Sequence, residues 1–189
     1  MGIPIPQYNE DPDIQLVEQM IQGDTQALND LYARHGGAIL GFLTSRLSNR
    51  QLAEEVLQDV MMAVWKNAGS FRGDSKVKTW LYVIARNRAI NAQRKRSPEF
   101  VHLNEAYGYQ SDDTGPMERM IKLSNREGVR SAIDQLPEGQ KEVLILVFYN
   151  QLSGPETAAV LGISEGTVKS RLHRAKHQLK QLLGHEGGF

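Results

Sequence analysis

Hydrophobic residues recur every three or four positions along most of the chain, a spacing that predicts amphipathic helices. In the first half the pattern predicts four helices, over residues 13–22, 25–47, 50–67 and 76–96. Gly23 and Asp24 separate the first two, because glycine ends a helix and aspartate caps the next one.

The stretch from 97 to 115 interrupts this spacing with prolines, glycines and aspartates, which is typical of a linker. Helical spacing then resumes, with a break at Leu136-Pro137. We therefore predict an all-α fold with two helical domains joined by a flexible linker. The predicted organisation is a flexible N-terminal arm (residues 1–12), a first helical domain (13–96), the linker (97–115), a second helical domain (116–184) and a tail (185–189).

Residues 153–180, SGPETAAVLGISEGTVKSRLHRAKHQLK, have the pattern of a helix-turn-helix. Ser153 and Glu156 can form a capping box, and Pro155 suits the first turn of a helix. Gly162 ends this helix, and Ser164 caps the one that follows.

The second helix of this motif sorts its residues by face. Its core face is predicted to hold Val168, Leu172, Ala175 and Leu179. Between residues 167 and 180 there are five Lys or Arg and no acid, so the other face is positive. Such a helix suits the major groove of duplex DNA, although a solvated charged face has the same pattern. The candidate residues for duplex DNA are Lys169, Ser170, Arg171, His173, Arg174 and Lys176.

The total charge is zero, with 22 basic and 22 acidic residues, but the charges are unevenly distributed. Residues 72–96 hold eight basic residues and one acid, whereas residues 98–127 hold three basic residues and six acids. Two basic stretches separated by an acidic one indicate two nucleic-acid contacts and a connector.

The first basic stretch begins with a polar loop, FRGDSK, in which Ser75 is expected to cap the fourth helix. The apolar stripe of that helix is predicted to include Trp80, Leu81, Ile84, Ala85 and Ile90. Aromatic side chains beside basic ones can stack on unpaired bases. Because Trp80 has the spacing of a core residue, Phe71 in the loop is the stronger stacking candidate.

Several other chemistries lack support in the sequence. There is no cysteine, no N-terminal signal pattern and no apolar run long enough to cross a bilayer, so we expect a soluble cytoplasmic protein. His173 and His177 have the spacing of a metal-binding pair but no obvious third ligand. Neither a phosphate-binding loop nor a nucleophile elbow is present. We expect no cofactor, no metal and no catalytic residue.

Three stretches together resemble a known family, the sigma-70 factors of the extracytoplasmic-function (ECF) group. LAEEVLQDVMMAVWKN (residues 52–67) resembles the family's polymerase-clamp-binding helix. FRGDSKVKTWLYVIARNRAIN (residues 71–91) resembles its promoter-melting segment. Residues 132–179 resemble its fourth-region helix-turn-helix. A helix-turn-helix alone is shared by many regulators, but the three stretches in this order are highly specific.

The resemblance implies a division of labour between the domains. The first would bind the β′ clamp helices of bacterial RNA polymerase and hold the melted −10 element, and the second would read the −35 element and contact the β flap. The polymerase-binding positions would be Glu54, Glu55, Gln58 and Asp59. The −10 positions would be Phe71, Gly73, Asp74, Ser75, Lys76, Asn87, Arg88 and Asn91. Relatives often have Asp where this chain has Asn91, and Tyr or an acidic residue where it has Gly154-Pro155.

The resemblance also implies an anti-sigma factor, which is often membrane-bound and would hold this cytoplasmic, nucleoid protein at the inner membrane. No small-molecule substrate is implied. Two alternatives remain from the residues alone. A stand-alone helix-turn-helix regulator would bind duplex DNA as a dimer without polymerase. A nucleic-acid-processing enzyme would share only the basic patches.

Overall fold

The structure is a computed structural model that describes residues 11–95 and 126–186. The chain forms two compact units, and the boundary between them falls between these two ranges. Within the described ranges every regular element is a helix or helical turn, which confirms the all-α prediction. The predicted linker, residues 97–115, lies outside the described residues.

The described part of the first unit, residues 11–95, contains four helices and one short turn. They are α1 (Ile14–Ile21), α2 (Thr25–Leu47), α3 (Arg50–Asn67), a 3-10 turn (Ala68–Ser70) and α4 (Val77–Lys95). The helix α2 packs against α1, α3 and α4, and α3 also packs against α4. The observed bounds of α2 and α3 equal the predicted ones, and α2 is continuous through Gly36 and Gly37.

Side-chain caps define the starts of α2 and α3. The Asp24 carboxylate accepts the N–H of Gln26 at 2.9 Å, and the Asn49 side chain accepts the N–H of Leu52 at 2.8 Å. Each cap satisfies a backbone donor that has no partner within its own helix. These local hydrogen bonds explain why the helix starts were predictable.

An aromatic contact lies in the core of the first unit. The rings of Phe42 (α2) and Tyr82 (α4) meet edge to face, with centroids 5.4 Å apart and planes at 73°. Both residues are almost completely buried, at 1 and 0 % exposure. This geometry suits the quadrupoles of two aromatic rings and fixes which side of α4 faces the core.

The rotation of α4 differs from the sequence prediction. Its buried face consists of Val77, Thr79, Leu81, Tyr82, Ala85 and Ala89. Trp80, Ile84 and Ile90 are only partly buried, so the prediction that they line the core was wrong. Leu81 and Ala85 are buried as predicted, and Val77, Tyr82 and Ala89 complete the core side in place of Trp80, Ile84 and Ile90.

The start of α4 also differs from prediction. The N–H of Val77 is bound by Asp11 Oδ2 at 2.8 Å, whereas the Ser75 hydroxyl donates to the Lys76 carbonyl at 3.2 Å. Ser75 is therefore not the cap that we expected. Of the predicted arm, residues 1–12, the structure describes Asp11 and Pro12, and residues 1–10 lie outside the described residues.

The second unit is built around one long helix. Over residues 126–186 its elements are α5 (Arg126–Asp134), α6 (Glu138–Leu144), a π-helical turn (Ile145–Tyr149), α7 (Gly154–Leu161) and α8 (Glu165–Glu186). The helix α8 packs against α5, α6 and α7. Apolar residues from α5, α6 and α8 form one buried cluster, which includes Val129, Leu144, Ala175 and Leu179.

A π-helical turn follows α6 directly. The N–H of Asn150 bonds to the carbonyl of Ile145 at 3.0 Å, which spans five positions rather than the four of an α-helix. The Asn150 side chain is buried and also donates to Ile145, at 3.3 Å. The next residue, Gln151, has a positive φ of 52° and turns the chain toward α7.

Replacing Phe42 by alanine should lower the free energy of unfolding of the first unit by about 3–5 kcal/mol, because a buried aromatic leaves a cavity. The exposed Tyr32, with 51 % exposure, is the control, and Tyr32→Ala should cost about 1 kcal/mol or less. Both tryptophans, Trp65 and Trp80, belong to the first unit, so tryptophan fluorescence during urea unfolding reports this unit alone. Equal losses for the two variants would contradict the packing described here.

Candidate nucleic-acid interface

The helix-turn-helix of the second unit has the predicted local geometry. The Glu156 carboxylate accepts the N–H of Ser153 at 2.7 Å, and the Ser153 hydroxyl oxygen accepts the N–H of Glu156 at 3.4 Å. These bonds form the capping box that starts α7. Gly162 has the left-handed φ of 64° that ends α7, and Ser164 Oγ accepts the N–H of Thr167 at 3.2 Å in the first turn of α8.

The helix α8 separates an apolar face from a positive one. Val168, Ala175 and Leu179 are buried, at 2, 0 and 5 % exposure. Leu172, which we predicted to join them, is only partly buried. Exposed positions of α8 include Lys169, His173, Arg174, Lys176 and His177. The helix therefore presents both basic and hydrogen-bonding side chains to solvent along several turns.

Three of the candidate duplex-binding side chains contact the protein itself. A Cβ at Gly139 in α6 would lie 2.9 Å from Arg171 Nη1, so the guanidinium of Arg171 lies directly against this glycine. The ammonium of Lys176 lies over the ring of Phe148, 5.0 Å from its centroid. The Ser170 hydroxyl donates to the Thr167 carbonyl at 3.1 Å. Lys169, His173, Arg174 and Lys176 are exposed, whereas Ser170 and Arg171 are partly buried.

An open groove of about 760 Å³ borders the positive face of α8. Its lining includes His173, Arg174 and His177 of α8, Gln135 beyond the end of α5, and Gln140 of α6. Amides and cations in one groove provide donors for the phosphate and base oxygens of DNA. Within the described residues, no group of three His, Cys, Asp or Glu side chains could hold a metal ion.

The first unit has a second candidate surface, on the solvent side of α4. Trp80, Ile84, Asn87 and Asn91 are spaced by four, three and four positions, which places them on one helix face. Asn87, Arg88 and Asn91 are exposed, and Trp80 and Ile84 are partly exposed. Two apolar side chains, Trp80 and Ile84, are therefore followed by two amides, Asn87 and Asn91, along a face that also carries positive charge.

Phe71 lies at the N-terminal end of this face. Its ring is 5.1 Å from the ring of Trp80, with the planes tilted by 47°. The two partly exposed rings form one aromatic surface beside the basic helix. Our sequence interpretation missed Trp80, because its spacing from Ile84 also suits a core stripe; the neighbouring run of Leu81, Tyr82, Ala85 and Ala89 was the signal for the true core face.

The other −10 candidates that precede α4 lie in the loop between Phe71 and α4. They are therefore close in sequence to the two rings. Gly73 is buried and has a φ of 73°, a conformation that favours glycine. Asp74 pairs with Arg72 at 2.8 Å, but both side chains are more than two-thirds exposed, at 70 and 82 %, so the pair contributes little to stability. Ser75 is partly buried and Lys76 is exposed.

A third surface is the exposed side of α3. Glu54, Glu55, Gln58 and Asp59 are all exposed, while Ala53, Val56, Leu57 and Val60 face the core. Glu54 accepts a hydrogen bond from Arg50 at 2.8 Å within the same helix. Met62 is also exposed, at 52 %, and follows Gln58 by one helical turn. The sequence interpretation did not include this methionine.

Comparisons with known proteins assign both units to one family. The family described as "Sigma-70 region 2" matches residues 31–99, and "Sigma-70, region 4" matches residues 126–179. The ECF RNA polymerase sigma factor SigM of Mycobacterium tuberculosis is 34% identical over 180 residues, which cover 94% of this chain and 87% of SigM.

Two solved structures are also similar. CnrH in complex with the cytosolic domain of CnrY has a TM-score of 0.68 and 28% identity, covering 93% of this chain and 99% of CnrH. The sigma factor RpoE of Bartonella quintana, in complex with the anti-sigma factor NepR, has a TM-score of 0.67 and 27% identity, covering 82% of this chain and 96% of RpoE.

The chain therefore belongs to the sigma-70 family of RNA polymerase sigma factors, and within it to the ECF group. Members of this family are non-catalytic initiation factors that work with core RNA polymerase on promoter DNA. None of the helices in the two described ranges is long and apolar enough to cross a membrane.

Proposed function

We propose that this chain directs core RNA polymerase to promoters by reading the −35 element with residues 126–184 and holding the melted −10 element with residues 13–95. The polymerase performs the chemistry and this chain supplies no catalytic group. The observation that carries the proposal is the coexistence of a positive recognition helix (α8) with an aromatic and amide face (α4), because duplex and unpaired DNA need different contacts.

The match of region 2 to residues 31–99 argues against the alternative of a stand-alone helix-turn-helix regulator, since such a regulator needs no strand-melting domain. The test is run-off transcription with purified core polymerase and the chain's own upstream promoter region. We expect a discrete transcript that requires this chain. Binding to duplex DNA without any transcript would instead favour the regulator.

The exposed side of α3 is proposed as the surface that binds the β′ clamp helices. Glu55, Gln58, Asp59 and Met62 lie on one side of α3, so two acidic groups precede one exposed apolar side chain on the same face. Charged groups at the edge of an interface steer association, while apolar side chains at its centre exclude water. Glu54, bonded to Arg50, lies at the margin of this surface.

Replacing Asp59 by arginine should weaken binding to core polymerase, because a like charge opposite a basic clamp residue costs energy. The free energy of unfolding should change by only about 0.5 kcal/mol, since Asp59 is exposed. Glu18→Arg, the same charge reversal at an exposed site on α1, is the matched control. The measurement is titration of labelled core polymerase, and equal affinity of both variants would remove α3 from the interface.

The positive face of α8 is proposed to read the −35 element. Arg174 is exposed at the edge of the groove, and two of its guanidinium N–H groups can donate to one guanine. Lys169 lies five positions closer to the start of α8 and is assigned to phosphate. Arg171 and Lys176 lie against Gly139 and Phe148. We assign both to contacts with the DNA backbone.

Arg174→Ala should cost about 1–3 kcal/mol at one −35 base pair and relax specificity there. Lys169→Ala should weaken binding to all sequences alike and reduce the salt slope by about one. The measurement is a gel shift with a series of duplex −35 fragments at several salt concentrations. A uniform loss for Arg174→Ala would assign this residue to phosphate instead.

The exposed face of α4 and the preceding loop are proposed to hold the non-template strand. Phe71 and Trp80 offer one tilted aromatic surface for stacking, and Asn87 and Asn91 offer amides that can bond to the edges of unpaired bases. Stacking on such rings contributes about 1–3 kcal/mol per base, which helps to offset the cost of unpairing.

Phe71→Ala, Trp80→Ala and Asn87→Ala should leave duplex −35 binding intact and impair open-complex formation. The reason is that the three side chains removed contact only unpaired bases. Permanganate footprinting of melted thymines, beside a gel shift on a duplex −35 fragment, separates the two steps. Tyr32→Ala, which removes an exposed aromatic of α2, is the control and should melt the promoter normally. Normal melting by all three variants would exclude this face of α4.

We also propose that an anti-sigma factor covers the polymerase-binding surface and holds this chain at the inner membrane until a signal releases it to the nucleoid. The support is that the two similar solved structures are complexes of sigma factors with the cytosolic domain of CnrY and with the anti-sigma factor NepR. Affinity capture from native cells should yield an inhibitor as well as polymerase. Repeated capture of polymerase alone would count against this regulation.

A further inference from the structure

The loop that carries Phe71 and Lys76 is attached at both ends to the same N-terminal segment. Before the loop, the 3-10 turn Ala68–Ser70 packs against α1. After the loop, the first N–H of α4, at Val77, is bound by Asp11 Oδ2 at 2.8 Å, across 66 positions of sequence. The position of this loop therefore depends on residues 11–21 as well as on its own turn residues.

Asp11 is itself held by further hydrogen bonds. Its other carboxylate oxygen accepts the N–H of Asp13 at 3.0 Å, and its carbonyl accepts the N–H of Ile14 at 3.1 Å. Asp13 is 4 % exposed, and its carboxylate binds Arg34 and, at 2.6 Å, the Nε2 of His35. A continuous series of polar contacts thus runs from α2 through Asp13 and Asp11 to the start of α4.

A carboxylate suits the start of α4 for two reasons. It supplies an acceptor to a backbone donor without a partner inside the helix, and its negative charge is favourable near the positive end of the helix dipole. Because Asp11 fills this role, the first turn of α4 is fixed by a residue outside the loop. That turn leads directly to Trp80, whose ring meets Phe71.

We infer that Asp11 is a positioning residue for the strand-binding surface. It holds the first turn of α4 so that Phe71, Trp80 and the loop between them already have the arrangement that the unpaired strand needs. A surface ordered before binding loses less conformational freedom when the strand arrives. This inference rests on the proposed role of α4 in holding the −10 strand.

The test compares two aspartates that each bind the start of a helix in the same unit. Asp11→Ala removes the acceptor of Val77, and Asp24→Ala removes the acceptor of Gln26 at the start of α2. Full-length variants are assembled with core polymerase and titrated with a fluorescent single-stranded oligonucleotide carrying the non-template −10 strand of the promoter used in run-off transcription. Tryptophan fluorescence during urea unfolding records the stability of the unit in each variant.

We expect Asp11→Ala to bind the strand about five- to tenfold more weakly. This is the change in affinity that results if the free energy of one lost helix cap is charged to strand binding. Binding to core polymerase and to a duplex −35 fragment should not change. Asp24→Ala should lose similar stability and bind the strand normally. Asp11→Asn retains one oxygen that can accept the N–H of Val77 but loses the acceptor of the Asp13 N–H and the negative charge, so it should recover part of the affinity.

Three results would overturn the inference. Normal strand binding by Asp11→Ala, with a wild type that binds and melts the promoter, refutes the positioning role and leaves the proposed function intact. An equal loss for Asp24→Ala assigns the effect to general stability. Failure of the wild-type holoenzyme to bind the strand at all refutes the proposed function, and the inference with it.

Discussion

The rotation of α4 about its own axis determines what the first unit can do. A helix can bury only one stripe of its surface, and here the edge-to-face contact between Phe42 and Tyr82 fixes which stripe is buried. With Tyr82, Leu81 and the alanines inside, Trp80 and Asn87 must lie on the opposite side. A different rotation would bury the aromatic and amide face and leave the basic helix without a surface for bases.

The positive charge of the second unit is distributed by a similar constraint. Once Val168, Ala175 and Leu179 are buried, the cations of α8 extend around the remaining surface. Arg171 and Lys176 flank that surface and contact Gly139 and Phe148 of neighbouring elements. Such contacts reduce the freedom of two long side chains before DNA arrives, whereas the exposed Arg174 keeps the range of motion that base recognition can use.

Local chemistry was predictable from the sequence, and long-range placement was not. The bounds of α2 and α3, the capping box of Ser153 and Glu156, and the turn at Gly162 depend on residues within a few positions of one another. The core face of α4 was predicted only in part: Leu81 and Ala85 are buried as expected, but Trp80, Ile84 and Ile90 have a helical spacing that suits burial equally well and are only partly buried. The bond from Asp11 to Val77 joins residues 66 positions apart, which no local pattern indicates.

The π-helical turn after α6 has a consequence for comparing this chain with others. It gives the turn at Ile145–Tyr149 a wider backbone repeat than an α-helix has. A relative with an ordinary α-helix at this turn would have a different number of residues between α6 and the helix-turn-helix. The helices before and after the turn would still bury the same faces. An ungapped alignment through this turn would then pair buried positions of one protein with exposed positions of the other, so homologous sites are better matched by burial than by counting residues.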